Sequence, residues 1–254
     1  MRRSAFVMLT LLASATASAG RGADYGSVMD AIATGNGDVI ASELERGERM
    51  VCAACVGPVM ELLDHSDYQV REAAAWWFSR RPVLKAAITL QSIARVQGPD
   101  ARAAEYAADV LGTFRHPGVL PVLASALTRA DLPAATKVAL VRAVGTIGDP
   151  AGLPAVAGAL TDAAPETRAE AVRAYDALRG VRGGSELAPL LADGDVAVRR
   201  QAAASIAAYR VDGARAALED LLTHDGDPLV RRNAAYALLK LAQAASRPAL
   251  QKAA

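Results

Sequence analysis

A short string returns along this chain at a nearly constant interval, and that recurrence restricts the fold more than any other feature. Three copies are plain: a Leu-Leu pair is followed by Asp-x-x-Val-Arg-x-x-Ala-Ala. They run from Leu62-Leu63 through Asp67, Val70-Arg71 and Ala74-Ala75, from Leu190-Leu191 through Asp195, Val198-Arg199 and Ala202-Ala203, and from Leu221-Leu222 through Asp227, Val230-Arg231 and Ala234-Ala235. Degenerate copies at Ala103-Ala104, Thr136-Lys137 and Thr167-Arg168 fill the gap. The anchor positions 71, 104, 137, 168, 199 and 231 are therefore 33, 33, 31, 31 and 32 residues apart. A repeat of this length is one supersecondary unit. It cannot bury its own apolar face, and stacked neighbours can.

Within each unit the pattern reads as two helices around a turn rich in Asp, Gly and Pro. Three residues past the anchor stand Ala74, Ala107, Leu140, Ala171, Ala202 and Ala234. Four past it stand Ala75, Ala108, Val141, Val172, Ala203 and Ala235, and seven past it Phe78, Leu111, Val144, Tyr175, Ile206 and Leu238. These rows form one apolar helical stripe. Pro82, Pro117-Gly118, Asp149-Pro150, Gly183-Gly184 and Asp212-Gly213 close the units. Aromatics make up only 4% of the chain, which suits helices packed through alanine and not a β-sandwich. The Asp and Arg of each plain copy, Asp67/Arg71, Asp195/Arg199 and Asp227/Arg231, are spaced to cap the second helix or to bridge adjacent turns.

This pattern resembles the HEAT-like repeats first named from phycobilisome lyases, over roughly residues 56–245. Residues 104 and 137 depart from the anchor arginine. The resemblance implies an all-α, right-handed α-solenoid of about six helix pairs. It also implies that the second helices line a concave face, and that such a chain acts as a binding scaffold more often than as a lyase. Residues 20–55 are expected to form an N-terminal helical cap, with 25–55 as its helix pair and Asn36-Gly37 as its turn, and 246–254 to form a C-terminal tail. The second cap helix is expected to run from Asp38 to about Gly57.

Residues 1–19 read as a cleaved export signal. Arg2 and Arg3 precede an apolar run from Ala5 to Ala13, and Ala17-Ser18-Ala19 offers small-residue cleavage with a mature start near Gly20. The arrangement favours general secretion over the twin-arginine route. The expected location is periplasmic or secreted. Charges interrupt every later apolar run, so no stable membrane insertion is expected after cleavage. The formal charge of +1 provides no basic field for a phosphate backbone, so nucleic acid is not the expected partner.

Few residues suggest chemistry. Cys52 and Cys55 form the one Cys-x-x-Cys motif. In an exported chain they are expected to pair as a disulfide; buried thiols or a redox dithiol are the alternatives. Placed in the last turn of a helix, they would face a dipole that opposes a thiolate. Val56 follows, where c-type haem attachment requires His. His65, His116 and His224 are far apart and read as turn residues, so no metal site is expected. No nucleophile or phosphate-loop motif occurs, and no cofactor is expected.

If the second helices are concave, positions one, two and five past the anchor face the groove. They supply Trp76, Tyr106, Asp109, Arg142, Arg173, Arg200, Gln201, Arg232, Asn233 and Tyr236 as partner-contacting candidates. The other reading of these rows is an ordinary solvated face. The expected function is a non-catalytic protein-binding scaffold of the cell envelope. The alternative is an accessory factor in thiol-redox, cofactor or chromophore handling.

Overall fold

Every copy of the anchor string begins a helix that packs on the next copy. The computed structural model describes residues 22–178, 183–209, 211–241 and 246–253, so the export signal lies outside the described residues. The N-terminal pair is α1 (Tyr25–Ala33) and α2 (Gly37–Arg46). The repeats then pair α3 (Val56–Glu61) with α4 (Tyr68–Ser79), α5 (Pro82–Gln97) with α6 (Ala101–Phe114), and α7 (Leu120–Leu127) with α8 (Ala134–Ile147). They continue with α9 (Leu153–Ala159) and α10 (Pro165–Ala177), a 3₁₀ segment Ser185–Ala192 and α11 (Val196–Tyr209), and α12 (Arg215–His224) with α13 (Pro228–Leu241). The expected tail contains one more helix, α14 (Arg247–Ala253), against α12. No strand occurs among the described residues, and the chain is an all-α solenoid.

The repeat motif has a mechanical explanation. The second turn acid caps the following helix: Asp195 accepts from the Ala197 and Val198 amides at 2.8 and 3.2 Å, and Asp227 from those of Leu229 and Val230 at 2.9 Å each. Such caps contribute about 1 kcal/mol each. The anchor arginine does not bridge back to that aspartate. Its Nη1 donates to two carbonyls of its own turn, as Arg199 does to Asp193 and Gly194 at 2.9 and 3.2 Å. In the fourth and fifth repeats its remaining donors reach the first turn acid of the next repeat, and Lys137 does the same in the third. Arg168 grips Asp193 at 2.7 Å through both Nε and Nη2, Arg199 grips Asp225 at 2.7 Å through Nε, and Lys137 meets Asp162 at 2.7 Å. The motif therefore encodes a cap, a turn clamp and an inter-repeat tie.

The second helices pack on one another more closely than the first helices do, which places them on the inner side of the curve. Two glycines permit the tightest approaches. A Cβ on Gly112 would lie 2.8 Å from the Ala143 Cα, and one on Gly145 would lie 2.8 Å from the Ala174 Cα.

The core falls into two clusters that meet on α5 and α6, with Ile88 of α5 in the first and Val96 in the second. Val110 and Phe114 belong to an N-terminal cluster with Trp77 and Phe78, whereas Ala107, Ala108 and Leu111 belong to a longer alanine- and leucine-rich cluster running to Leu238. Trp77 and Phe78 meet edge to face, ring centroids 5.1 Å apart.

Three expectations are corrected. α2 ends at Arg46 rather than near Gly57, because the carbonyls beyond it are captured: Gly47 O accepts from the Trp77 indole at 3.2 Å and Met50 O from Arg81 at 2.8 Å. Cys52 and Cys55 therefore lie in the turn before α3, with Cys55 at its start, and not in a last helical turn. The first helix of the fifth repeat is a 3₁₀ segment, since Pro189 lies inside it and removes a helical donor.

Candidate protein-binding groove

A cavity of about 910 Å³ opens where α2, α4, α6 and α8 come together. Trp76 stands in its wall, with carboxylates from Asp38, Glu45 and Glu72 and cations from Arg80, Lys85 and Arg115. The Trp76 ring is half-buried, and the Arg80 guanidinium lies 5.2 Å from its centroid. Arg80 is also paired with Glu48 at 3.1 Å. Lys85 Nζ donates to the Phe114 carbonyl at 3.0 Å. Arg115 is exposed, has no polar partner among the described residues, and adopts a left-handed φ of 50° at the end of α6. The corresponding residue after α8 is Gly148, with a φ of 71°. A non-glycine residue there costs about 1 kcal/mol, and Arg115 lines the cavity edge.

The structure sorts the ten sequence candidates. Trp76 alone lines this cavity. Asp109 is corrected outright: its side chain is 0% exposed, so it is not a partner contact. It lies between two arginines, accepting from Arg71 at 2.5 Å and from Arg142 at 2.6 Å. Tyr106 stacks on Arg71 with the guanidinium 4.3 Å from the ring centroid, and Tyr68 stacks on Arg142 at the same distance. Burial, reinforced by Glu72, pushes the Tyr68 hydroxyl up to about 12. Burial alone would lower Arg142, but attraction and hydrogen bonding to Asp109 outweigh it and raise its pKa. This cluster fastens α4, α6 and α8 together and leaves Arg142 only partly available.

Further along, Arg173 is exposed and paired with Glu170. Arg200 meets Asp227 at 2.9 Å, and Asn233 Nδ2 donates to the Arg200 carbonyl at 3.0 Å. Gln201 lies beside Asp176 and acts to hold its carboxyl down. Arg232 and Tyr236 are exposed, with Lys240 over the Tyr236 ring at 5.3 Å. Most of the charges in these rows are thus paired within the chain. The cavity residues that the anchor rows miss come from helix ends and from the cap. The one usable sequence signal was Arg115, which occupies the register position where the next repeat has glycine.

Cys52 and Cys55 are joined, 5.3 Å apart between Cα atoms, with Cys52 half-buried and Cys55 buried. A second cavity of about 460 Å³ lies beside them. The histidines serve their own turns: His65 and His116 accept from backbone amides at 3.0 Å, and His224 pairs with Asp220 at 2.9 Å. Among the described residues no helix is long and apolar enough to cross a membrane.

Comparison with known proteins agrees with this architecture. The E. coli protein YibA aligns at 15% identity with a TM-score of 0.59, covering 90% of this chain and 85% of that one. A computationally designed armadillo repeat protein for modular peptide recognition aligns at 17% identity with a TM-score of 0.51, covering 85% and 99%. The complex of CpcE and CpcF of phycocyanin lyase from Nostoc sp. PCC7120 aligns at 18% identity with a TM-score of 0.42, covering 93% and 94%. No curated protein matches the sequence significantly. The family model for HEAT repeats matches residues 89–176 and 184–254, more than half of the sequence, and the chain belongs to the HEAT-repeat family.

Proposed function

We propose that this chain is a non-catalytic scaffold of the cell envelope that holds a protein partner in the groove around Trp76. The observation that carries the reading is the cavity itself. It combines an aromatic anchor with charges of both signs, and Arg115 projects into it at the cost of backbone strain. Aromatic residues beside arginines are the usual anchors of protein interfaces. The printed description of the armadillo neighbour, modular peptide recognition, is compatible with this use of a solenoid. The envelope location rests on the N-terminal export pattern.

The test is site-directed photocrosslinking from Ser42, on the cavity wall, in the native host. A defined partner is expected in the envelope fraction. Trp76→Ala should weaken its binding by about 2 kcal/mol while leaving the melting temperature in place. An unchanged crosslinking pattern in Trp76→Ala, or a full-length chain retained in the cytoplasm, would overturn the reading.

One observation favours a second reading as a thiol-redox accessory. Cys55 N–H donates to Cys52 Sγ at 3.1 Å, and Cys52 is the more exposed of the two residues. A reduction potential below about −300 mV would assign the bond to structure instead.

A further inference from the structure

Repeats five and six share the same double-arginine string, Val198-Arg199-Arg200 and Val230-Arg231-Arg232. In repeat five both arginines hold the next turn. Arg199 grips Asp225 at 2.7 Å and Arg200 meets Asp227 at 2.9 Å. In repeat six the turn clamp is repeated, with Arg231 Nη1 donating to the Asp225 and Gly226 carbonyls at 2.8 and 3.1 Å. The outward donors are not used. Arg231 Nε and Nη2 and the whole Arg232 guanidinium meet no acceptor among the described residues.

The apolar rows are open at the same place. Four residues past the anchor, Ala75, Ala108, Val141, Val172 and Ala203 are buried, whereas Ala235 is half-buried. Eight past it, Gly112, Gly145 and Ala207 are buried, and the two residues of the row that reach solvent in inner repeats, Ser79 and Asp176, are polar, whereas Leu239 is apolar and 62% exposed. Leu239 and Ala235 thus lie beside two unsatisfied guanidiniums on one face of α13.

We infer that this face of α13 docks a helical hairpin of a partner protein whose interhelical turn carries an Asp-x-Asp pair. The molecule shows what such a face accepts: Asp225-Gly226-Asp227 and α13 cover the equivalent face of α11. Charge complementarity requires acid, since residues 228–241 contain none. A second copy does not fit. Stacked end to end, it would offer Thr34-Gly35-Asn36, which has no carboxylate, and would place the Arg46 charge in a row that every repeat fills with an uncharged residue, Trp77, Val110, Ala143, Ala174, Ser205 and Ala237. Two α13 faces brought together would oppose arginine to arginine.

The test uses the whole chain and a labelled, helix-stapled peptide of residues 225–241 as probe, read by fluorescence anisotropy. Saturable binding is expected. It should weaken at least tenfold, about 1.4 kcal/mol, when the peptide carries Asp225→Asn and Asp227→Asn, and equally when the protein carries Leu239→Asp. Arg232→Asp in the protein should weaken binding, and Asp227→Arg in the peptide should restore it. Leu239 and Arg232 are exposed, so thermal melts of these variants should match the parent. Absence of saturable binding, equal binding of the neutral peptide, or indifference to Leu239→Asp would overturn the assignment. So would a dimer in sedimentation that Leu239→Asp abolishes, since the face would then belong to a second copy.

Discussion

The N-terminal region up to α6 and the repeats after it solve the same packing problem in different ways. From α8 onward, alanine and leucine fill the interface, and the ties between repeats lie at the turns, where Lys137, Arg168 and Arg199 each reach one carboxylate. In the first repeat the core is aromatic, and the anchor turns inward. Arg71, 2% exposed, meets Asp109 on the next second helix rather than an acid in the next turn. The same anchor position thus makes a peripheral tie in one region and a buried pin in the other. The difference shows that the repeat register fixes where a side chain starts, while the neighbouring residues decide where its charge is neutralised.

The largest test of this contrast is Trp77→Ala. Trp77 is fully buried, and its indole holds the Gly47 carbonyl. Its loss should cost about 3–5 kcal/mol. Because the two clusters share only α5 and α6, hydrogen exchange should show the loss of protection concentrated in residues 25–114 while α10 to α13 keep theirs. Uniform loss along the chain would show that the two clusters unfold as one.

Asp109→Asn comes next. It leaves Arg71 buried and its charge unmatched, at a cost of about 3–5 kcal/mol. A cost below about 1 kcal/mol in chemical denaturation would mean that the pin contributes no more than a surface pair. This residue also marks what the sequence did and did not reveal. The helix pairs, their caps and the apolar stripe were legible because they recur at fixed register. Asp109 was not, because its row also contains Trp76, Arg142, Arg173, Ala204 and Tyr236 and looks solvated on average. Its burial comes from Arg71, 38 residues away in sequence. The cavity was hidden for a related reason. Asp38 and Arg115 lie in the cap and at a helix end, positions that the anchor rows do not index. The turn holding Cys52 and Cys55 was hidden because Trp77 and Arg81, distant in sequence, capture its carbonyls.

A smaller effect belongs to that turn. Replacing both Cys52 and Cys55 by serine should cost about 2 kcal/mol on a chain-entropy estimate for so short a loop, with the exchange increase confined to the first region. An increase reaching α11 would tie the turn to the second cluster.

Asp193→Asn should cost about 1 kcal/mol, since the Arg168 pair sits at a partly open turn. The pH dependence has a definite sign. Hydrogen bonds from Arg168 hold the Asp193 carboxyl below its ordinary value, and those from Arg199 do the same for Asp225. The unfolded chain therefore binds more protons in acid. The stabilisation is complete above the unfolded carboxylate value, near 3.9, and is lost as pH falls through the lower folded values. Acid titration followed by hydrogen exchange should open these turns in the parent, and Asp193→Asn should flatten that dependence.

The smallest expected effect has the opposite sign and comes from an interface in the later repeats that departs from their regular packing. Where α6 and α8 present Gly112 and Gly145 to an alanine, α10 presents Asp176 to Ser205, whose hydroxyl donates to it at 2.5 Å. Burial pushes this carboxyl up, although part of the residue reaches solvent, and hydrogen bonds from Ser205, Tyr209 and Gln201 offset that only in part. A raised folded value means that the folded chain holds the proton longer than the unfolded one, so stability from this group is lost as pH rises through that value. Asp176→Asn keeps an acceptor for Ser205 and removes the charge. At neutral pH it should raise the melting temperature slightly, and the gain should shrink in acid as the parent protonates. A fall in melting temperature at neutral pH would show that the charge itself holds α10 to α11, making this interface an electrostatic tie like those at the turns.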